Sequence, residues 1–307
     1  MKALASFVMQ TRLRAVTATA GFGIGFLLLP PLAMVSNACL ALVGLRAGLV
    51  SALWVGAGAA GVLALLAWAL GLSPLLGVFM GLVQWLPNVA LAQVLRHTAS
   101  WALTLLGAAL LGIGAVLLLH LAVADLPGVW LEILENTLGP FLSQTGMPPV
   151  EVTQNLVRAA ELMSGILAMA MVLNMAVSLF IARYWQAALY NPGGFAQEFQ
   201  ALQLGRIPAL ILLVLLLGSW LGQSNLLTEL ALIMLALFFL QGLALVHALC
   251  RSLKMHRAWL ISLYVLLVFA FPQMMVILAT FAALDAFMNF RQRLPPPPPP
   301  RDADQAD

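Results

Sequence analysis

Eight polar side chains lie inside long apolar runs: Gln84, Asn88, His120, Asn174, Gln241, His247, Gln273 and Asp285. A polar group in an apolar segment is costly unless it faces a neighbouring helix or a wet cavity, so each reads either as a helix-to-helix hydrogen bond or as part of a midplane ligand pocket. Asp285 lies one to two turns before Asn289 and Arg291, which reads as an ion pair at the membrane boundary or as a proton-coupled site. Tyr190 and His247 have no evident partner in sequence. Catalysis asks for more than these residues supply. The chain has no His-x-x-x-His or His-Glu metal pair, no nucleophilic serine in a glycine-rich elbow and no phosphate-cradling glycine loop. The expectation is therefore a protein that is not an enzyme and uses no cofactor or metal.

The elements that must position these residues are membrane helices. The 307 residues are 63% hydrophobic and 8% charged, whereas soluble domains carry about a quarter charged residues. A formal net charge of +3, with no basic patch interleaved with aromatics, argues against nucleic acid and leaves membrane lipids as the standing partner. Cys39 and Cys250 are isolated in sequence and read as buried free thiols. Lys2, Arg12 and Arg14 precede an apolar stretch in the manner of a signal peptide, but further apolar segments follow directly, and the first reads as a retained span.

The fold class expected is all-α, a polytopic transmembrane helical bundle of about 8–10 membrane segments with an amphipathic outer insert. Residues 15–29 and 32–45 form a tight hairpin broken at Pro30-Pro31, since proline cannot continue a helix. Segments over 49–70 and 74–95 follow. The first of these carries Gly56, Gly58, Ala60 and Gly61 for close helix approach, and the second is interrupted by Pro87, whose freed carbonyls Gln84 and Asn88 can satisfy. A fifth segment covers 100–124. The insert over 125–160 is acidic; Trp130, Ile133, Leu134, Leu138, Phe141 and Leu142 repeat at helical spacing, and Pro148-Pro149 opens a second helix with Val152, Leu156, Ala160 and Met163 on one face. Further segments cover 162–182, 208–222 and 226–249, and the apolar run 258–289 turns at Pro272. Residues 1–293 thus make a single transmembrane domain, and 294–307, with six consecutive prolines, an extended disordered tail.

With ten segments, every Lys and Arg except Arg158 falls on one side, which by the positive-inside rule makes both termini cytoplasmic. Residues 183–206 then form a cytoplasmic loop. Asn191-Pro192-Gly193-Gly194 is a turn by composition, and Phe195, Phe199 and Leu202 recur on one face of a short amphipathic helix. That helix is either an interfacial connector or a docking surface for a protein partner, formed by Asn191, Gly193, Gly194, Phe195, Phe199 and Leu202.

The stretch YNPGGFAQEFQALQLGR, with the terminal LVFAFPQMMVILATFAALDAFMNFRQR, resembles the YybS-like family of bacterial integral membrane proteins of unknown function. The resemblance extends from the first span to Arg293. That family is distantly similar to the substrate-binding S components of energy-coupling factor transporters. It implies a compact helical bundle with a cavity, no ATPase of its own and a bacterial inner-membrane location. S components have six membrane helices, fewer than this chain, and no ligand residue is carried over from them. Two function classes follow: a binder or transporter of a small molecule or lipid, using Gln84, Asn88, His120, Asn174, Gln241, His247 and Asp285, or a membrane scaffold that holds protein partners.

Overall fold

Short breakers cut the first third of the chain into helices. In the computed structural model, which describes residues 2–142, 144 and 148–293, α1 (Lys2–Gln10) gives way to α2 (Arg12–Gly25) at Thr11, whose side chain accepts the N–H of Arg14 at 3.2 Å as an N-cap. Pro30-Pro31 separates α2 from α3 (Leu32–Ala47). Gly48, at φ 92°, supplies a left-handed residue that allows α4 (Leu49–Ala69) to start at once. Pro74 opens α5 (Pro74–Thr98), and Ser100 caps α6 (Trp101–Ala122).

The remainder comprises α7 (Leu126–Leu142), α8 (Pro149–Tyr190), α9 (Gly194–Gln200), α10 (Arg206–Gly222), α11 (Asn225–Ser252), α12 (Ala258–Phe269) and α13 (Phe271–Met288), closed by a 3-10 turn over Phe290–Arg293. No strand occurs among the described residues. The expected disordered tail, 294–307, lies outside them. Six helices (α4, α5, α6, α8, α11 and α13) are long and apolar enough to cross a membrane, and α3, α10 and α12 are shorter apolar helices. The chain is an all-α, multi-pass membrane bundle.

The largest departure from the expected segments is α8. The helix opened by Pro149 and the segment expected at 162–182 are one rod of 42 residues, about 63 Å long against about 30 Å of hydrocarbon. Arg183 does not end it, because the sequence from Arg183 to Tyr190 contains no glycine or proline; the helix stops only at Asn191-Pro192-Gly193. Its protruding start packs on α7. Leu134 meets Leu156 and Ala160, with Val152 and Met163 alongside, and Trp130 Nε1 donates to Ser164 Oγ at 2.8 Å. The two helices of the amphipathic insert therefore pack on each other, around a small core separate from that of the bundle.

Helix α3 occupies the centre, with eleven of its sixteen residues buried among α2, α4, α5 and α8. It runs parallel to α5 at a constant offset of 49 residues: Trp85 bonds to Ser36, and Gln93 to the carbonyl of Gly44. That register sets Leu32 beside Gly81, so the hairpin tip at Pro30-Pro31 stops about two turns short of the start of α5. The small residues of α4 serve the expected close approach. A Cβ on Gly58 would reach Val16 at 2.9 Å and Ala60 faces Gly81, although Gly61 looks into open space.

The run expected to turn at Pro272 does turn, at Ala270, but its first arm is only half a span. The rings of Phe239 and Phe271 lie 5.7 Å apart, so α12 ends beside the middle of α11; its 12 residues rise about 18 Å, the length of α11 from Ser252 back to Phe239. Helix α13 then returns along α11. Gly242 touches the backbone carbonyl of Leu278, Gln241 Nε2 donates to Ala282 O at 2.9 Å, and Arg291 and Arg251 both reach Gln200. Thus α2–α3 and α12–α13 are two hairpins that open from the same face, the first turning at Pro30-Pro31 and the second at Ala270. That face carries Arg46, Arg96, Arg183 and Arg251; the opposite face carries the acidic helix α7.

Candidate functional site

Because the tip of α2–α3 stops short, a cleft opens above it between the α4–α5 pair and α8. Its volume is about 730 Å³. The walls are Leu66 of α4 and Leu70 just past its end, Leu76 and Met80 of α5, and Leu167 and Met171 of α8, with Phe26 at the hairpin tip. Many of these side chains are half-exposed at the mouth, Leu70 by 65% and Met80 by 53%, so the cleft opens toward the acidic face and sideways between α5 and α8. No charged residue is among the described residues lining it.

The floor is polar and lies near the middle of the bundle. Four carboxamides meet there: Asn37 from α3, Gln84 and Asn88 from α5, and Asn174 from α8. Asn37 Nδ2 donates to Asn174 Oδ1 at 2.9 Å, tying the two helices together. Pro87 has no N–H and frees a carbonyl of its own helix, and Asn88 Nδ2 donates to the adjacent carbonyl of Gln84 at 3.3 Å. Beneath the floor, Trp85 Nε1 donates to Ser36 Oγ at 3.0 Å, and that hydroxyl donates to Thr19 O at 2.7 Å. These bonds fix the floor but leave part of it unused. Asn37 Oδ1, Asn88 Oδ1 and Gln84 Nε2 are buried and have no hydrogen-bond partner among the described residues, and Asn37 and Asn88 are only 2% and 1% exposed. A buried polar atom left unpaired costs about 1–3 kcal/mol, so three such atoms on residues that line one cavity favour a hydrogen-bonding guest, which meets them once the amides turn toward it.

Of the polar residues read from the sequence, Gln84, Asn88 and Asn174 thus converge. The others form separate groups. His120 Nε2 lies 2.6 Å from Glu229 Oε2 near the acidic-face ends of α6 and α11, and Gly165 N donates to Glu229 Oε1 at 3.3 Å. Gly165 is on the side of α8 turned away from the cleft, since two residues along a helix, at Leu167, is about half a turn. Gln241 accepts Leu204 N at 2.8 Å and belongs, with Gln203, to the surroundings of the fully buried Asp285. Asp285 accepts Phe290 N at 2.9 Å and pairs with Arg291 at 3.3 Å, as the ion-pair reading expected. Burial lowers the Arg291 guanidinium from its ordinary value, against the opposing pull of Asp285. Gln273 is exposed near the tip of the second hairpin.

The loop after α8 folds back onto the bundle. Asn191 and Gly193 form the turn, with Gly193 at φ 88°, and Asn191 O accepts Gly194 N at 3.1 Å. Phe195 and Phe199 point inward, into a ring cluster with Trp101, Phe180, Tyr184 and His247, and His247 meets the Tyr264 hydroxyl at 3.3 Å. Leu202 is buried. Arg183 pairs with Glu198 across the same loop.

Sequence reasoning missed two residues of note. Asn37 lies within the apolar run 32–45, where an asparagine carries the same signal as Asn88. Glu229, the one acid in the apolar helix α11, was readable in the same way. Among the described residues no three His, Cys, Asp or Glu side chains come together. Compared with known proteins, the chain matches no family model, no curated protein and no solved structure.

Proposed function

We propose that the protein binds a small molecule or lipid in the amide-floored cleft and moves it or presents it from the outer half of the membrane. The observation that carries this reading is the pairing of a 730 Å³ apolar cleft with unspent hydrogen-bonding atoms on its buried floor. Ligand sites are typically cavities of about 300–1,000 Å³ with mostly apolar walls and a few convergent polar groups. The grouping of Arg46, Arg96, Arg183 and Arg251 on one face supports a cytoplasmic assignment for that face and both termini, in a bacterial inner membrane. The cleft then opens outward, and the two hairpins enter from the cytoplasm. The location and the likeness to transporter S components rest on the resemblance carried by the NPGGF stretch.

Native mass spectrometry of the protein, extracted gently from its own membrane, tests this reading. We expect one non-protein molecule bound per chain in the wild type and its loss in Met80→Trp, which fills the cleft from its wall. A wild-type chain that carries no such molecule would remove the binding reading, and one accompanied only by a second polypeptide would favour a scaffold.

A further inference from the structure

We infer that the ligand of the cleft is a neutral, single-chain amphiphile whose head group bears at least two hydroxyl or N–H donors, inserted head first. This inference rests on the cleft being the binding site. The head must be neutral because no cation or anion lines the cleft, and an ion brought to the amide floor would exchange water for apolar walls without a counter-charge. It must donate because two of the three unspent floor atoms, Asn37 Oδ1 and Asn88 Oδ1, are acceptors; the third, Gln84 Nε2, donates and suits a hydroxyl or carbonyl oxygen on the same head. A hydrocarbon, an ester or an ether would leave both acceptors unsatisfied.

The body must be a single chain. A volume of 730 Å³ holds one acyl or isoprenoid chain with its head, and a two-chain phospholipid would leave much of its tails outside. The direction follows from where polarity lies. The amides are at the deep end, whereas Leu70 and Met80 at the mouth are half-exposed, so the head goes down and the tail lies along the apolar walls toward the lipid. A neutral head is also the kind that passes those walls at least cost.

The test uses the full chain in lipid nanodiscs and equilibrium binding of radiolabelled 1-myristoylglycerol, a neutral single-chain lipid with two hydroxyls. Methyl myristate, with the same tail and no donor, and myristate, with the same tail and a negative head, serve as competitors. Two variants accompany the wild type. Asn88→Leu removes a vacant acceptor whose side chain bonds only within its own helix, and Met80→Trp fills the cleft. We expect saturable one-to-one binding, competition by either analogue weaker by roughly tenfold, a loss of roughly fivefold in Asn88→Leu and no binding in Met80→Trp. If all three probes bind within twofold of one another, Asn88→Leu changes nothing and Met80→Trp abolishes binding, the cleft holds tails only; the head-group inference fails while the binding site stands. If none of the probes binds, the ligand class is wrong, and the native mass spectrum of the extracted protein decides separately whether the cleft holds anything.

Discussion

At the scale of single residues, the fold depends on positions where a side chain would have no room. A Cβ on Gly165 would come within 2.6 Å of Glu229 Cα, backbone that cannot step aside, whereas one on Gly61 would meet nothing within 4 Å. We therefore expect Gly165→Ala to cost about 1–3 kcal/mol, as overpacking does, and Gly61→Ala to be neutral or slightly stabilising because alanine favours helix. Thermal unfolding in detergent, with the two variants side by side, measures this; equal midpoints would show that α8 and α11 do not meet as described. The Asn37–Asn174 bond is worth about 0.6–2 kcal/mol, the range for polar contacts between membrane helices, so Asn37→Ala should lower the midpoint modestly and leave the fold intact. At this scale the sequence was informative for type and weak for grouping. Gln84, Asn88 and Asn174 were recognisable as misplaced polar groups, but nothing in their spacing tied Asn174 to Asn37, 137 residues earlier. Only the packing of α3 against α8 does that. His120, Gln241, His247 and Asp285 carried the same signal and went elsewhere, because polarity marks an inward-facing residue without naming the neighbour it meets.

At the scale of elements, breakers were legible and lengths were not. Pro30-Pro31, Pro74 and the Asn191-Pro192-Gly193 turn all fall where chain direction changes, since each acts through local sterics. The reach of α8 past Arg183 was hidden because a single arginine does not break a helix, and the half-span of α12 was hidden because only its level beside Phe239 reveals it. The returning hairpin has a direct consequence. A reporter fused after Arg293 and a cysteine placed at Lys254, in a chain whose own Cys39 and Cys250 are buried, should report the same compartment. Opposite compartments would mean that 258–288 crosses as one long tilted helix. The contact of Gly242 with the carbonyl of Leu278 fixes the return of α13, so Gly242→Leu should loosen that hairpin and raise maleimide labelling of a cysteine at Met275, which is otherwise buried. Unchanged labelling would place the two helices further apart.

At the scale of the whole molecule, two helical hairpins rise from the basic face, and one of them stops short beneath an apolar cleft floored by amides. Composition gave the membrane, because 63% hydrophobic residues cannot be hidden in a soluble domain of this size, and the length of the apolar runs gave the all-α bundle. The cleft was not legible, since it exists only where α2–α3 fails to reach the start of α5, a difference of about two turns that no local pattern encodes. The most direct measurement is a cryo-electron microscopy map of the chain in nanodiscs of its native lipids. We expect elongated non-protein density in the cleft, with one end within hydrogen-bonding distance of Asn37, Gln84 and Asn88 and its length running past Met80 to the mouth. A map in which α8 closes onto α5, or in which the floor amides pair only with one another and nothing occupies the space, would contradict a ligand site there.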